Sequence, residues 1–239
     1  MKQVIKHSVW GGAFLLLCIA TLPTHAKTKQ LYWVFLNSGA KRNEVVKTLS
    51  KEALEKMQSD HVGNLGRLAE KGILLAAGPL GGSGITRGIV VLTLDTPEQI
   101  KEAFIPDPFV QNGILEVQTF PLITAHNEIH KPDMPVRMVQ HTLGVVVKGE
   151  HWTPLDETPD TDTLPDLLPT LQTLQRKHEL ALYGTLLGGG EQLGILLFRS
   201  ENTAAIQAEL SKDPAVREGR VRIDLRPQYQ AAGVFRDTS

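Results

Sequence analysis

The spacing of apolar and polar residues predicts short strands that alternate with helices. Residues 31–36 form an aromatic and aliphatic run that is typical of a strand. Residues 42–71 are polar and periodic, which predicts a long helix, broken near Ser59 and ended by Gly72. The other elements predicted in this region are strands over residues 73–77, 88–94 and 114–120, a helix that begins at Thr96-Pro97 with threonine as its cap, and a short turn over residues 107–112.

The order β-α-β-β-α-β is that of a ferredoxin-like unit, and the chain contains it twice. At a constant offset of 106 positions, Gly78 matches Gly184 and the pair Asp107-Pro108 matches Asp213-Pro214. A gapless match of glycines and prolines indicates a duplicated domain. The second copy is predicted to contain strands over residues 143–148, 180–186, 193–198 and 221–225, and helices over residues 166–178 and 203–210.

These elements divide the chain into two halves. The first half covers residues 27–124, a proline-containing linker covers residues 125–138, and the second half covers residues 139–239. A ferredoxin-like unit has both helices on one face of its four-stranded sheet, so the other face needs a cover. We therefore predict an α+β fold in which the sheets of two ferredoxin-like repeats face each other as an intrachain pseudo-dimeric αβ barrel.

Composition narrows the function classes. The 239 residues are 41% hydrophobic and 21% charged, which is typical of a globular protein. The net charge of −1 and an aromatic content of 5% argue against a nucleic-acid partner. The single cysteine, Cys18, excludes a disulfide framework and a cysteine-based zinc site.

Residues 1–26 have the pattern of a secretory signal peptide. Lys2 and Lys6 precede an apolar run over residues 9–22, and Thr24-His25-Ala26 offers a cleavage site. The run is shorter than the roughly 20 residues of a membrane-spanning helix, although an uncleaved anchor remains the alternative. We expect a bacterial periplasmic or secreted protein that begins at Lys27 and has no stable membrane insertion after cleavage.

His61 is the first candidate for chemistry. It lies on the apolar stripe of its predicted helix, four positions from both Met57 and Leu65. A core histidine held by one hydrogen bond is the structural alternative. In the second half Leu167 takes the same position, so a plain apolar residue is adequate for packing there. A histidine costs desolvation unless it has a partner, which favours a role in proton transfer.

Asp107 is the second candidate, and it has two possible roles. It precedes Pro108 and can cap the short helical turn that follows. Because Asp213 retains the same pair in the half that lacks the histidine, the capping role is well supported. One carboxylate oxygen can cap the turn while the other orients His61.

The first half resembles the YCII-related family of small αβ-barrel proteins. The resemblance covers residues 31–122 and rests on the helix segment HVGNLGRLAEKGILLAAGPL, the glycine-rich turn, Gly88, the DPFV segment at Asp107, Gly113 and Pro121. Residues 141–229 are similar but more weakly so. The resemblance implies a ferredoxin-like fold, paired subunits, and a pocket that uses the helix histidine together with the DP aspartate. Most members have no assigned reaction, and the wider barrel superfamily includes isomerases, lyases and oxygenases of small cyclic compounds.

Other motifs carry less chemistry. The glycine-rich residues 78–84 lead into a strand and not into a helix, so a β-hairpin connection is favoured over a phosphate-binding loop. Arg87 beside this loop is predicted to be an exposed arginine, although it could bind an anion. His126 and His130 are four apart with Glu128 between them, but no third metal ligand is evident. We therefore assign no metal and no organic cofactor.

The sequence predicts an exported small-molecule enzyme that uses His61 and Asp107 for proton transfer, of the isomerase or lyase type, with a cyclic or phenolic substrate. The alternative is a non-catalytic ligand-binding or assembly domain of the cell envelope. In either case the expected partner is a small molecule. No oligomeric state beyond the intrachain pseudo-dimer is assigned.

Overall fold

A computed structural model describes residues 29–124, 129–153, 164, 167–188 and 190–235. The predicted signal peptide lies outside these residues, as do His126 and Glu128. The first half contains β1 (Gln30–Ser38), α1 (Arg42–Thr48), α2 (Lys51–Glu70), β2 (Leu74–Pro79), β3 (Thr86–Leu94), α3 (Glu98–Phe104), α4 (Pro108–Gln111) and β4 (Leu115–Thr124). The second half contains β5 (Met138–Lys148), α5 (Leu168–Arg176), β6 (Leu180–Leu186), β7 (Gln192–Phe198), α6 (Thr203–Leu210), α7 (Pro214–Arg217) and β8 (Val221–Ala231).

The strands form one eight-stranded antiparallel sheet in the order β2-β3-β1-β4-β6-β7-β5-β8. Strand β4 joins the halves by pairing with β6, where Leu122 faces Leu186. The two end strands, β8 and β2, meet through a bridge between Gln228 and Leu80, which closes the sheet into a barrel. Both seams use positions related by the 106-residue offset. The α+β class is thus confirmed.

Two matched glycines allow the seams to form. A Cβ atom on Gly78 would lie 1.6 Å from the carbonyl oxygen of Tyr229, across the β2–β8 seam. A Cβ atom on Gly184 would lie 2.6 Å from the carbonyl oxygen of Ile123, across the β4–β6 seam. No side chain fits either gap, so both positions require glycine where the strands of the two halves meet.

Apolar side chains pack in three layers. The barrel core lies inside the closed sheet and takes residues from both halves, including Trp33, Phe35, Leu143 and Ile195. The rings of Trp33 and Phe35 pack edge to face with centroids 6.1 Å apart. A separate cluster lies between the sheet and the helices in each half. Side chains from both halves therefore cover the inner face of the closed sheet.

Two local expectations for the first half are wrong. The long helix breaks at Leu49, not near Ser59, because Ser50 caps α2 by accepting a hydrogen bond from the Ala53 amide at 3.2 Å. Thr96 does not cap α3 either. The side chain of Gln99 instead accepts hydrogen bonds from the amides of Asp95 and Thr96, at 2.9 and 3.2 Å, in the turn before α3. Helix α3 itself has no side-chain cap.

The helix ends follow the sequence more closely. Gly72, with φ of 66°, follows the last turn of α2, as its position predicted. The corresponding residue after α5 is His178, which adopts a similar φ of 58°. Within the described part of the chain, no helix is both long and apolar enough to cross a membrane.

Candidate functional site

Helices α2 and α4 bring the two predicted site residues together. His61 and Leu68 lie on the buried side of α2, as the apolar periodicity predicted, and Asn64 is buried there as well. Asp107 is the N-cap of α4, where its Oδ1 accepts hydrogen bonds from the amides of Phe109 and Val110 at 3.0 and 3.4 Å. The capping role proposed for Asp107 is therefore present.

The second oxygen of Asp107 binds the imidazole of His61. Nδ1 of His61 lies 2.6 Å from Oδ2 of Asp107, and the Asp107 side chain is fully buried. The His61 side chain retains 11% of its accessible surface, so one part of the ring reaches solvent. The Phe109 ring packs on the imidazole with centroids 5.2 Å apart. A carboxylate only accepts hydrogen bonds, so Nδ1 donates and Nε2 is the nitrogen left for other chemistry.

In the second half, Asp213 caps the corresponding helix α7, but its second oxygen binds a threonine and not a histidine. Oδ1 of Asp213 accepts the amide of Ala215 at 2.9 Å and caps α7. Leu167 takes the position of His61 and is buried. Oδ2 of Asp213 accepts a hydrogen bond from the hydroxyl of Thr170, one helical turn further along. Sequence reasoning treated Asp213 as having no chemical partner and missed this threonine.

Asn64 is a further residue that sequence reasoning missed. Asn64 is the first-half counterpart of Thr170 in the second half, and it is almost completely buried. Its side-chain amide donates to the carbonyl of Ala103 at 3.2 Å, and its oxygen accepts from Arg67 at 2.6 Å. The bond to Ala103 joins α2 to α3, whereas Arg67 lies on α2 itself. The signal in the sequence was a polar residue three positions after His61, on the same helical face.

A cavity of about 650 Å³ lies on the helix side of the first half. Its lining is mostly apolar and comes from β1, α3, α4, β4 and their connections: Tyr32, Pro97, Ile100, Lys101, Phe104, Ile105, Val110, Gln111, Val117, Thr119 and Pro121. His61 and Asp107 are not among these residues. The cavity and the pair nevertheless share α4, since Asp107 caps the helix that contributes Val110 and Gln111.

The cavity is lined by one phenol, that of Tyr32, and by one ammonium group, that of Lys101. Burial, and secondly the carboxylate of Glu98, raise the pKa of Tyr32, so its phenol stays protonated. Lys101 is the charged side chain of the lining, and it forms no ion pair with any residue that the structure describes.

A buried histidine lies inside the barrel. His141 is on β5, directly opposite Gln228 on β8, and shares the inner face with Leu143. Desolvation by burial, and then the positive charge of Arg199, lower the pKa of His141 to about 4. Within the described residues, its Nδ1 has no hydrogen-bond partner. The sequence did not indicate this residue, because its burial depends on barrel closure.

The structure describes some of the remaining sequence motifs. The glycine-rich residues connect β2 to β3 as a hairpin, in accordance with the prediction. Arg226 of the second half reaches across the seam and donates to the carbonyls of Gly81 and Thr86 at 2.6 and 2.8 Å. Arg87 is exposed. The described residues contain no group of three potential metal ligands, and two members of the candidate motif at His126 lie outside them.

Comparison with known proteins identifies the fold alone. No protein-family model matches the chain, and no curated protein matches it. A heme-binding protein from Thermus thermophilus is similar in structure, with a TM-score of 0.50 and 13% identity over 85% of this chain and 90% of that one. A mutant chlorite dismutase from Candidatus Nitrospira defluvii has a TM-score of 0.49 and 12% identity, covering 84% of this chain and 91% of its own. The likeness to the first of these supports the α+β barrel architecture.

Proposed function

We propose that this chain is an exported small-molecule enzyme in which His61 and Asp107 transfer a proton. The observation that carries the proposal is the 2.6 Å hydrogen bond between a buried carboxylate and a histidine that retains partial access to solvent. A histidine that served packing alone would be replaceable by leucine, as Leu167 illustrates at the equivalent position. The reaction class that such a pair supports is isomerisation or elimination.

In this reaction the imidazole begins neutral, with its proton on Nδ1 and hydrogen-bonded to Asp107. Nε2 removes a proton from a carbon or oxygen of the substrate, and the buried carboxylate stabilises the imidazolium that results. Nε2 then returns the proton to a different atom, which completes an isomerisation, or to a departing group, which completes an elimination. A cyclic or phenolic substrate is the class that the YCII resemblance implies.

We also propose that the chain arose by duplication of a domain and that the protein is exported. The matched seams, the paired glycines and the two capping aspartates support an origin by duplication of a YCII-like domain. The proposed borders are residues 27–124 and 139–239, joined by residues 125–138. Export with cleavage after Ala26 is supported by the N-terminal sequence pattern. N-terminal sequencing of protein isolated from the bacterial envelope tests it, with Lys27 as the expected first residue.

Deuterium wash-in tests the proton transfer directly. The protein is incubated in D2O with a panel of small cyclic ketones and phenolic acids, and exchange at carbon is followed by NMR. We expect exchange with the native protein and a loss of roughly a hundredfold to ten-thousandfold in His61→Leu. Equal exchange by the native protein and by this variant would contradict the proposed role of His61.

A non-catalytic ligand-binding role is the second candidate. The observation that favours it is the apolar cavity, because His61 and Asp107 do not line it. A ligand held there would be separated from the proton-transfer pair. Binding without turnover in the same panel would favour this role.

Heme is a poor fit for the cavity, although one structural neighbour is described as a heme-binding protein. An iron ligand must be a side chain such as histidine, cysteine, methionine or tyrosine that faces the heme. Among the described residues of the cavity, Tyr32 alone has such a side chain, and its raised pKa disfavours the phenolate that iron requires. No step of the proposed reaction therefore uses heme.

A further inference from the structure

The cavity is formed by residues of the first half. In the second half the equivalent positions are occupied by Ile206, Leu210 and Ile223, which are buried members of its helix–sheet cluster. Two differences on the sheet are important. Val117 and Thr119 of β4 correspond to the larger Ile223 and Leu225 of β8. The smaller side chains leave apolar surface uncovered on β4, and an apolar ligand would gain free energy by covering it.

The volume and lining suit a small molecule. At about 650 Å³ the cavity lies within the range of roughly 300–1,000 Å³ that is usual for ligand sites. Ile100, Phe104 and Val110 supply apolar contacts from the helix side, opposite the strand residues. The interior therefore suits a compact apolar body.

The charged groups determine which end of a ligand faces outward. The carboxylate of Glu98 already raises the pKa of Tyr32, so a second negative charge beside this phenol would be repelled. At the exposed rim, the ammonium of Lys101 has no ion pair among the described residues. A negative charge is consequently favoured at Lys101 and disfavoured near Tyr32.

We propose that this cavity binds an amphipathic carboxylate, with its apolar body between α3 and β4 and its carboxylate at Lys101. The site is a function in its own right and does not depend on proton transfer by His61. The second half lacks both determinants, since Gln207 stands at the position of Lys101 and larger residues occupy the space on the sheet.

Calorimetry with the full chain tests the proposal, with decanoate below its micelle concentration as the probe. We expect decanoate to bind at least about tenfold more tightly than decan-1-ol, because only the acid meets the Lys101 ammonium. Lys101→Gln introduces the residue of the second half and should reduce this preference to about twofold or less. Lys71→Gln, at an exposed lysine outside the cavity, is the matched control and should change nothing.

A second variant tests the location. Val117→Ile combined with Thr119→Leu gives β4 the residues of β8, which already pack in the equivalent environment, and should weaken decanoate binding by at least about tenfold. His61→Leu should retain decanoate binding, which separates this proposal from the catalytic one. Equal affinity for acid and alcohol, or unchanged binding by either cavity variant, would overturn the proposal. Binding to phosphatidylglycerol vesicles without binding of decanoate would overturn it in favour of membrane docking.

Discussion

At the scale of single residues, His61 and Asp107 are coupled in stability as well as in chemistry. His61→Leu removes the donor to Oδ2 of Asp107 and leaves a buried carboxylate oxygen without its partner, at a cost of about 1–3 kcal/mol. The second half avoids this cost because Thr170 donates to Asp213. We therefore expect Asn64→Thr to be less destabilising in the His61→Leu background than alone, with a coupling energy of about 1 kcal/mol.

Urea denaturation of the two single variants and the double variant measures this coupling. Leu68→Ala combined with His61→Leu is the control for general loosening of α2, because an alanine offers no donor to the carboxylate. Strictly additive free energies of unfolding for His61→Leu and Asn64→Thr would show that the threonine does not replace the histidine as a donor.

At the scale of elements, α4 and α7 are equivalent short helices, and each begins at a capping aspartate. Only the aspartate of α4 also binds a histidine. Asp213→Asn changes the cap of α7 and should lower the free energy of unfolding by about 1 kcal/mol or less, because asparagine also caps helices, without effect on proton transfer. Asp107→Asn weakens the cap of α4 to a similar extent, and in addition it removes the negative charge that stabilises a His61 imidazolium. It should therefore reduce deuterium exchange about a hundredfold or more.

Thermal unfolding and the exchange assay, applied to both asparagine variants, separate the effect on helix capping from the effect on proton transfer. A loss of exchange in Asp213→Asn together with native exchange in Asp107→Asn would place the reactive site in the second half.

At the scale of the whole molecule, barrel closure makes stability depend on pH through His141. Its pKa of about 4 in the folded protein lies below the ordinary value of 6.5 in an unfolded chain. Between these values the unfolded chain binds more protons, so the free energy of unfolding falls as the pH falls from about 6.5 towards about 4. His141→Leu should remove on the order of 2 kcal/mol of this pH dependence.

Leucine is the natural replacement because Leu31 holds the position on β1 that corresponds to His141 on β5, and Leu31 packs against the barrel core. Urea denaturation at about pH 7 and about pH 4.5 measures the effect, with His151→Gln as the control at an exposed histidine. An unchanged pH dependence in His141→Leu would mean that His141 does not carry the proton linkage.

The sequence by itself determined the kinds of element and their order, because strand and helix periodicity, turn glycines and the Asp-Pro caps are local properties. It also determined that His61 faces the buried side of α2 and that Asp107 begins α4. The break at Leu49 and the bonds of Gln99 to the turn before α3 were missed, since several polar residues compete for the same backbone amides and only the packed chain selects among them.

Tertiary structure alone decided which residues from distant parts of the chain these side chains contact. The bond between His61 and Asp107 joins α2 to α4 across 46 positions of the chain. The burial of His141 depends on barrel closure, and the cavity combines side chains from β1, α3, α4 and β4. Such features depend on volumes and distances between segments far apart in the chain, and no local pattern of polar and apolar residues encodes them.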